Sequence, residues 1–130
     1  MDRLERILYV DDDEDIRTLT TMALELVGHY QVAAFASGED VLRSTETLAP
    51  QLFLLDYMMP GMSGFELWQK LQAIPGLTDV PVIFITAKSE RAFTDGLIKA
   101  GALSVIVKPF EIGQLGEKIE EAWSRHQAST

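Results

Sequence analysis

The stretch Gln51-Leu52-Phe53-Leu54-Leu55-Asp56 is apolar almost throughout and then stops on an acid. A half-exposed strand alternates polar and apolar residues. An unbroken apolar run of this length instead predicts a strand covered on both faces, as central strands of parallel sheets are. Four more runs of strand length lie outward from it. Arg6 to Val10 and Gln31 to Phe35 precede it, and Val80 to Ile85 and Leu103 to Val107 follow it. Each contains β-branched or aromatic residues, the types that fit a pleated surface.

Segments with helical spacing fill the gaps. Ile16, Leu19, Ala23, Leu26 and Val27 fall on one stripe, expected to face the core, and Ile112, Leu115, Ile119, Ala122 and Trp123 repeat the pattern. Shorter helices are expected around Val41, Thr45 and Leu48, around Leu67, Leu71 and Ile74, and around Phe93, Leu97 and Ala100. Ser37 and Ser63 suit N-caps, and Gly28 and Gly101 suit helix ends. Gly113 and Gly116 weaken the last helix by about 1 kcal/mol each relative to Ala. They read either as a soft first turn or as close backbone approach to a partner helix. The polar residues after Trp123 predict a frayed tail. Strand then helix, five times over, is the pattern of a single α/β domain with a parallel sheet. It is expected to fill residues 1–130, with a core over about 5–125.

Composition narrows the function classes. Hydrophobic residues make up 47% of the 130, enough for one sizeable core. The formal net charge of −9 argues against a nucleic-acid surface and against an anionic membrane surface. There is no cysteine, hence no disulfide and no thiolate metal site. No apolar run approaches the ~20 residues of a membrane span, and a soluble, cytoplasmic domain is the expectation.

In open parallel sheets, ligands bind beyond the carboxyl ends of the strands. Asp11, Asp12 and Asp13 follow the first run, Asp56 the third, Thr86 the fourth, and Lys108 and Pro109 the fifth. Asp11, Asp12 and Asp56 brought together would repel one another unless a cation intervened. A hard divalent ion suits them: Mg²⁺, with Mn²⁺ as the substitute, whereas Ca²⁺ lacks its loop spacing here. Asp13, Glu14 and Asp15 read as a negatively charged helix start. Asp56 can act as a nucleophile toward phosphorus, Lys108 as a point cation, and Thr86 as a hydroxyl donor.

Five motifs carry a family resemblance. They are Ile7-Leu8-Tyr9-Val10-Asp11-Asp12-Asp13, Leu55-Asp56-Tyr57-Met58-Met59-Pro60-Gly61-Met62-Ser63-Gly64, Ile85-Thr86-Ala87-Lys88, Lys99-Ala100-Gly101-Ala102 and Val107-Lys108-Pro109-Phe110. In this order they resemble the receiver domain of bacterial two-component response regulators. The resemblance implies a flavodoxin-like (βα)5 sandwich with strand order 2-1-3-4-5, an order already known for receiver proteins. It implies Asp56 as phosphoacceptor, with Asp11, Asp12, Asp56 and the Met58 backbone carbonyl around Mg²⁺. Thr86 and Lys108 would contact the phosphoryl group, and the Lys108-Pro109 bond would be cis.

Three departures from the family pattern involve four positions. Val105 stands where an aromatic ring usually couples to the Thr, so any switch here moves differently. Ser63 stands where many members have Asp, and either can cap a helix. Met58 and Lys88 occupy the two positions that tune phosphate loss, and modest self-dephosphorylation is expected. The implied partners are a histidine kinase or histidine phosphotransfer protein, an effector at the helix 4–strand 5–helix 5 face, and a second copy as homodimer. The resemblance fits a stand-alone receiver and a piece of a longer regulator or hybrid kinase equally. With no effector domain after the receiver, output would pass through a partner, through dimerisation, or by phosphate transfer to another His protein.

Other readings remain open at this point. Asp11-Asp12-Asp13 contains the Asp-x-Asp of haloacid-dehalogenase-type Mg²⁺ phosphohydrolases, in which Asp11 would be the nucleophile. Glu14 and the short chain fit that type poorly. A flavodoxin-like cofactor binder lacks its phosphate loop after the first strand. A degenerate receiver would bind partners without phosphorylation. Trp68, Trp123 and the methionines read as core or surface filler, and His29 and His126 as bystanders.

Overall fold

The structure, a computed structural model, describes residues 3–44 and 49–128. Among them five strands alternate with five helices. The strands are β1 (Arg6–Val10), β2 (Gln31–Phe35), β3 (Leu52–Asp56), β4 (Val82–Thr86) and β5 (Ser104–Val107). The helices are α1 (Glu14–Leu26), α2 (Gly38–Ser44), α3 (Gly64–Gln72), α4 (Arg91–Lys99) and α5 (Ile112–Ala128). All strand pairs are parallel, in the order β2-β1-β3-β4-β5. The fold is the flavodoxin-like α/β sandwich.

β3 and β4 are buried at every residue, and alternate side chains feed the two faces of the sheet. Ile7, Tyr9, Leu52, Leu54, Ile83 and Ile85 join Leu24 of α1 and Leu115, Ile119, Ala122 and Trp123 of α5 in one core. Leu8, Val10, Phe53, Leu55 and Phe84 join Val41 of α2, Leu67, Trp68 and Leu71 of α3 and Leu97 of α4 in the other. The period-two geometry of a strand divides one apolar run between two layers.

Local chemistry sets the boundaries. The Gln51 side chain accepts from the Glu5 and Arg6 amides at 2.7 and 3.0 Å, so β3 begins at Leu52 rather than Gln51. β3 and β4 each run one residue further than expected, which makes Asp56 and Thr86 their last residues. Asp13 caps α1 by accepting from the Ile16 amide at 3.1 Å. Ser63 and Glu66 form a reciprocal capping box at the start of α3. The Ser37 hydroxyl accepts from the Asp40 amide at 3.2 Å, as an N-cap does. Thr45 and Leu48, expected in the second helix, lie outside the described residues.

Three expectations need correction. The α1 stripe does not all face inward: Leu24 and Thr20 are buried, while Leu19, Leu26 and Val27 are exposed. Periodicity shows which residues share a face, not how the helix is rolled onto the sheet. Gly28 does not supply the left-handed turn after α1; His29 does, at φ 59°. A Cβ on Gly28 would instead strike the Tyr30 ring, so close approach explains this glycine. α5 does not fray after Trp123 but continues to Ala128, with the His126 ring centred 5.7 Å from that of Trp123. Among the described residues no helix is long and apolar enough to cross a membrane.

Candidate functional site

The carboxyl ends of β1, β3, β4 and β5 form the site. β1 runs into Asp11, which is fully buried. Its Oδ2 accepts from the Tyr9 hydroxyl at 3.1 Å, and its Oδ1 accepts from the Asp13 amide at 3.0 Å. Its carbonyl accepts from the Arg17 guanidinium at 2.8 Å. Asp12, the next residue, is exposed. Asp56 ends β3 with only 4% of its surface accessible. Asp11, Asp12 and Asp56 each present a carboxylate oxygen to a common point, all within 4.8 Å of one another.

Lys108, just past β5, answers this charge from one side. Its Nζ lies 3.3 Å from Asp56 Oδ2 and 3.8 Å from Asp11 Oδ2. The Lys108 amide donates to the Thr86 carbonyl at 2.7 Å, which fixes the stem of the side chain to β4. The Lys108–Pro109 peptide is cis. Thr86 is fully buried, and its hydroxyl oxygen accepts from the Lys88 amide at 3.0 Å.

Burial, and then the negative charge of Asp11, push the Asp56 carboxyl up to about 7, against the pull of Lys108. One lysine does not balance three converging carboxylates. A hard divalent cation bound by oxygen donors would, and the donor set fits Mg²⁺. Burial also raises the Tyr9 phenol well above its ordinary value, so it stays a neutral donor to Asp11.

The loop after Asp56 is pinned at both ends. The Tyr57 amide donates to the Ile85 carbonyl at 2.8 Å, and the Gly64 amide donates to the Tyr57 carbonyl at 2.9 Å. A Cβ at Gly64 would collide with the Asp56 carbonyl, so this position requires glycine. Met58 leaves 66% of its surface in solvent beside the site.

Two residues singled out by sequence stand apart from the charged centre. Lys88 is exposed, and its Nζ sits 4.8 Å over the Phe93 ring. Val105 is half-buried, opposite Phe84 in register, and packs in the core under α2, α3 and α4. The aromatic contact near the site is made elsewhere: Tyr57 meets Phe93 of α4 edge-on at 4.9 Å and Phe84 at 5.9 Å. In the sequence, Tyr9 and Gly64 stood out only as members of motifs, with no role of their own, and Arg17 was passed over. The signal for Tyr9 was its two-residue spacing from Asp11 on one strand face. Arg17 left no comparable pattern.

The family model for the response regulator receiver domain matches residues 7–120. The DNA-binding response regulator MtrA of Mycolicibacterium smegmatis is 32% identical over 123 residues, 95% of this chain and 52% of that protein. The probable transcriptional regulator ycf27 of Porphyridium aerugineum is 35% identical over 121 residues, 93% of this chain and 49% of that protein. The chain thus spans about half the length of the curated relatives it matches. Among solved structures, the CheY-like response regulator receiver domain protein from Methanospirillum hungatei JF-1 is 31% identical with a TM-score of 0.81. That match covers 98% of this chain and 100% of the other. Chemotaxis protein CheY4 of Vibrio cholerae has a TM-score of 0.82 at 24% identity, covering 92% and 99%, a likeness of fold alone. With five parallel strands in this order and the family match over most of its length, the chain belongs to the response regulator receiver domain family of two-component signalling.

Proposed function

We propose that the chain is one receiver domain, with its core over about residues 5–125, that accepts a phosphoryl group on Asp56 in a Mg²⁺-dependent reaction. The donor is a phosphohistidine on a histidine kinase or phosphotransfer protein, in the cytoplasm. The observation that carries this is the convergence of Asp11, Asp12 and Asp56 within 4.8 Å, with the Lys108 ammonium 3.3 Å from Asp56.

Asp11, Asp12, Asp56 and the Met58 carbonyl would hold the metal, which when bound neutralises charge on the phosphoryl oxygens. An Asp56 oxygen attacks phosphorus; the P–O bond forms as the P–N bond of the donor breaks, and the imidazole leaves with its electron pair. Lys108 stabilises the negative charge of the transferring group. Thr86 donates its hydroxyl hydrogen to a phosphoryl oxygen, which is compatible with its oxygen accepting from the Lys88 amide. The product's added negative charge then biases the loops and α4, whose Phe93 touches Tyr57 next to the acceptor. Output passes through the α4–β5–α5 face to an effector or a second copy.

Asp56 is preferred to Asp11 as nucleophile because both carboxylate oxygens of Asp11 are already accepting hydrogen bonds. The test is mass spectrometry after acetyl phosphate and Mg²⁺. One added phosphoryl group is expected in the wild type and none in Asp56→Asn. Label that persists in Asp56→Asn and disappears in Asp11→Asn would instead support the phosphohydrolase arrangement. No label in the wild type would support a receiver that works without phosphorylation.

A further inference from the structure

Tyr9 brings the only hydroxyl into β1. Its ring is fully buried, in the core with Leu24, Leu52, Leu54 and Ile83. Phenylalanine would fill the same space with no polar atom, and a buried hydroxyl costs stability unless it is hydrogen-bonded. The Tyr9 hydroxyl reaches along the strand to the residue two places on, where Asp11 Oδ2 accepts from it at 3.1 Å. Close packing around the ring fixes where the hydroxyl stands. The core thus sends one donor to the acidic edge, and that donor meets one oxygen of one carboxylate.

The rest of Asp11 is held independently. Its amide donates to the Phe35 carbonyl at 3.1 Å, and its Oδ1 accepts from the Asp13 amide at 3.0 Å. These bonds fix the backbone and one carboxylate oxygen, and leave the other to the phenol. Oδ2 is also the oxygen that faces Lys108, whose Nζ stands 3.8 Å away. A direct ammonium–carboxylate hydrogen bond closes to about 2.7–2.9 Å. The same ammonium is 3.3 Å from Asp56 Oδ2. Lys108 therefore lies between two buried carboxylates and sits nearer Asp56. Attraction across the wider gap is strong in a site shielded from water, and on Oδ2 the phenol opposes it.

We infer that Tyr9 is a positioning residue of the metal site: its hydroxyl holds the Asp11 carboxylate turned to the point shared with Asp12 and Asp56 and keeps it from closing on Lys108. The inference rests on the Mg²⁺ reading of that acidic point. Partners one bond behind a metal ligand set its orientation, and their loss ordinarily lowers metal affinity about 10–100-fold. Tyr9 does this with a neutral group, so it orients Asp11 without offsetting its charge, as a second ammonium would. Without the hydroxyl, Asp11 would swing to Lys108 and draw the ammonium away from Asp56. One bond thus serves both halves of the site, the carboxylates for the cation and the lysine for Asp56.

The test is titration calorimetry with Mg²⁺ on the wild type, Tyr9→Phe, Lys108→Ala and the double variant. Tyr9→Phe keeps the ring and its packing, and is expected to bind Mg²⁺ about tenfold more weakly. The Mg²⁺ concentration for half-maximal phosphoryl uptake from acetyl phosphate is expected to rise by the same factor, and excess Mg²⁺ to restore uptake. A tyrosine that merely fills the core would move the urea transition in EDTA and not this concentration. In the Lys108→Ala background there is no ammonium to swing to, and adding Tyr9→Phe is expected to weaken Mg²⁺ binding by about threefold at most. Absence of Mg²⁺ binding in the wild type overturns the proposed function and this inference together. Binding by the wild type with equal affinity in Tyr9→Phe overturns this inference alone, as does the same loss in both backgrounds.

Discussion

The molecule breaks the ordinary rule of burial in two places, in opposite senses. At the carboxyl edge of the sheet it buries charge: Asp11 and Asp56 are enclosed with the Lys108 ammonium partly covered beside them. On the outer side of α1 it exposes hydrocarbon, at Leu19, Met22, Leu26 and Val27. Both cost stability in the isolated chain, the first through desolvation and repulsion, the second through unrealised apolar burial. Under the proposed function a cation and a phosphoryl group would relieve the first. The difference lies in what the rest of the fold contributes. The acidic edge is fixed by strand ends and by bonds to Tyr9, Asp13 and Thr86, whereas the α1 surface depends only on how one helix is rolled.

Substitutions can sharpen that contrast. The largest effect is expected within α1 itself. Leu24→Ala, in the core, should cost about 2–5 kcal/mol in urea unfolding. At the acidic edge, Lys108→Ala should still permit phosphoryl uptake from acetyl phosphate, slowed about a hundredfold in a stopped-flow or quench assay, with a blunted spectral response.

Next comes the pH dependence of the metal-free chain. Asp56 is raised from its ordinary value to about 7, so the folded state holds a proton there that the unfolded chain releases near pH 4. This group's contribution is therefore complete below about pH 4 and is lost as the pH rises to about 7. Asp56→Asn escapes the loss. In EDTA its stability advantage should grow from pH 5 to pH 8, reaching on the order of 1–3 kcal/mol in urea unfolding. The same proton should weaken Mg²⁺ binding by about tenfold per pH unit below 7, by titration calorimetry. The smallest effect returns to α1: Leu26→Ala, two residues from Leu24 but exposed, should stay within about 0.5 kcal/mol of the wild type. A loss at Leu26 approaching that at Leu24 would erase the contrast.

Much of the fold was legible because a parallel strand buried on both faces writes itself as an apolar run, as at Leu52 to Leu55. The order of the sheet came from resemblance, since apolar runs do not say which neighbour they pair with. The acidic centre was legible because strand ends are where an α/β sheet presents polar groups, and Asp11, Asp12, Asp56 and Lys108 do converge there. The roll of α1 was not legible, because its stripe is as periodic outside as inside. The Gly28 steric reason was also hidden, because it depends on where the Tyr30 ring packs. The contact of Tyr57 with Phe93 joins a loop to a helix far along the chain, and no local pattern encodes it.

The bond from the Gly64 amide back to the Tyr57 carbonyl has a mechanical consequence. It closes the intervening segment into a ring whose base is the end of β3. A tether of the same length without that bond would have slack and would take up a displacement by bending. The closed ring transmits it. The first turn of α3 and the backbone of Asp56, already so near that a methyl group will not fit between them, therefore move as one lever with a short arm.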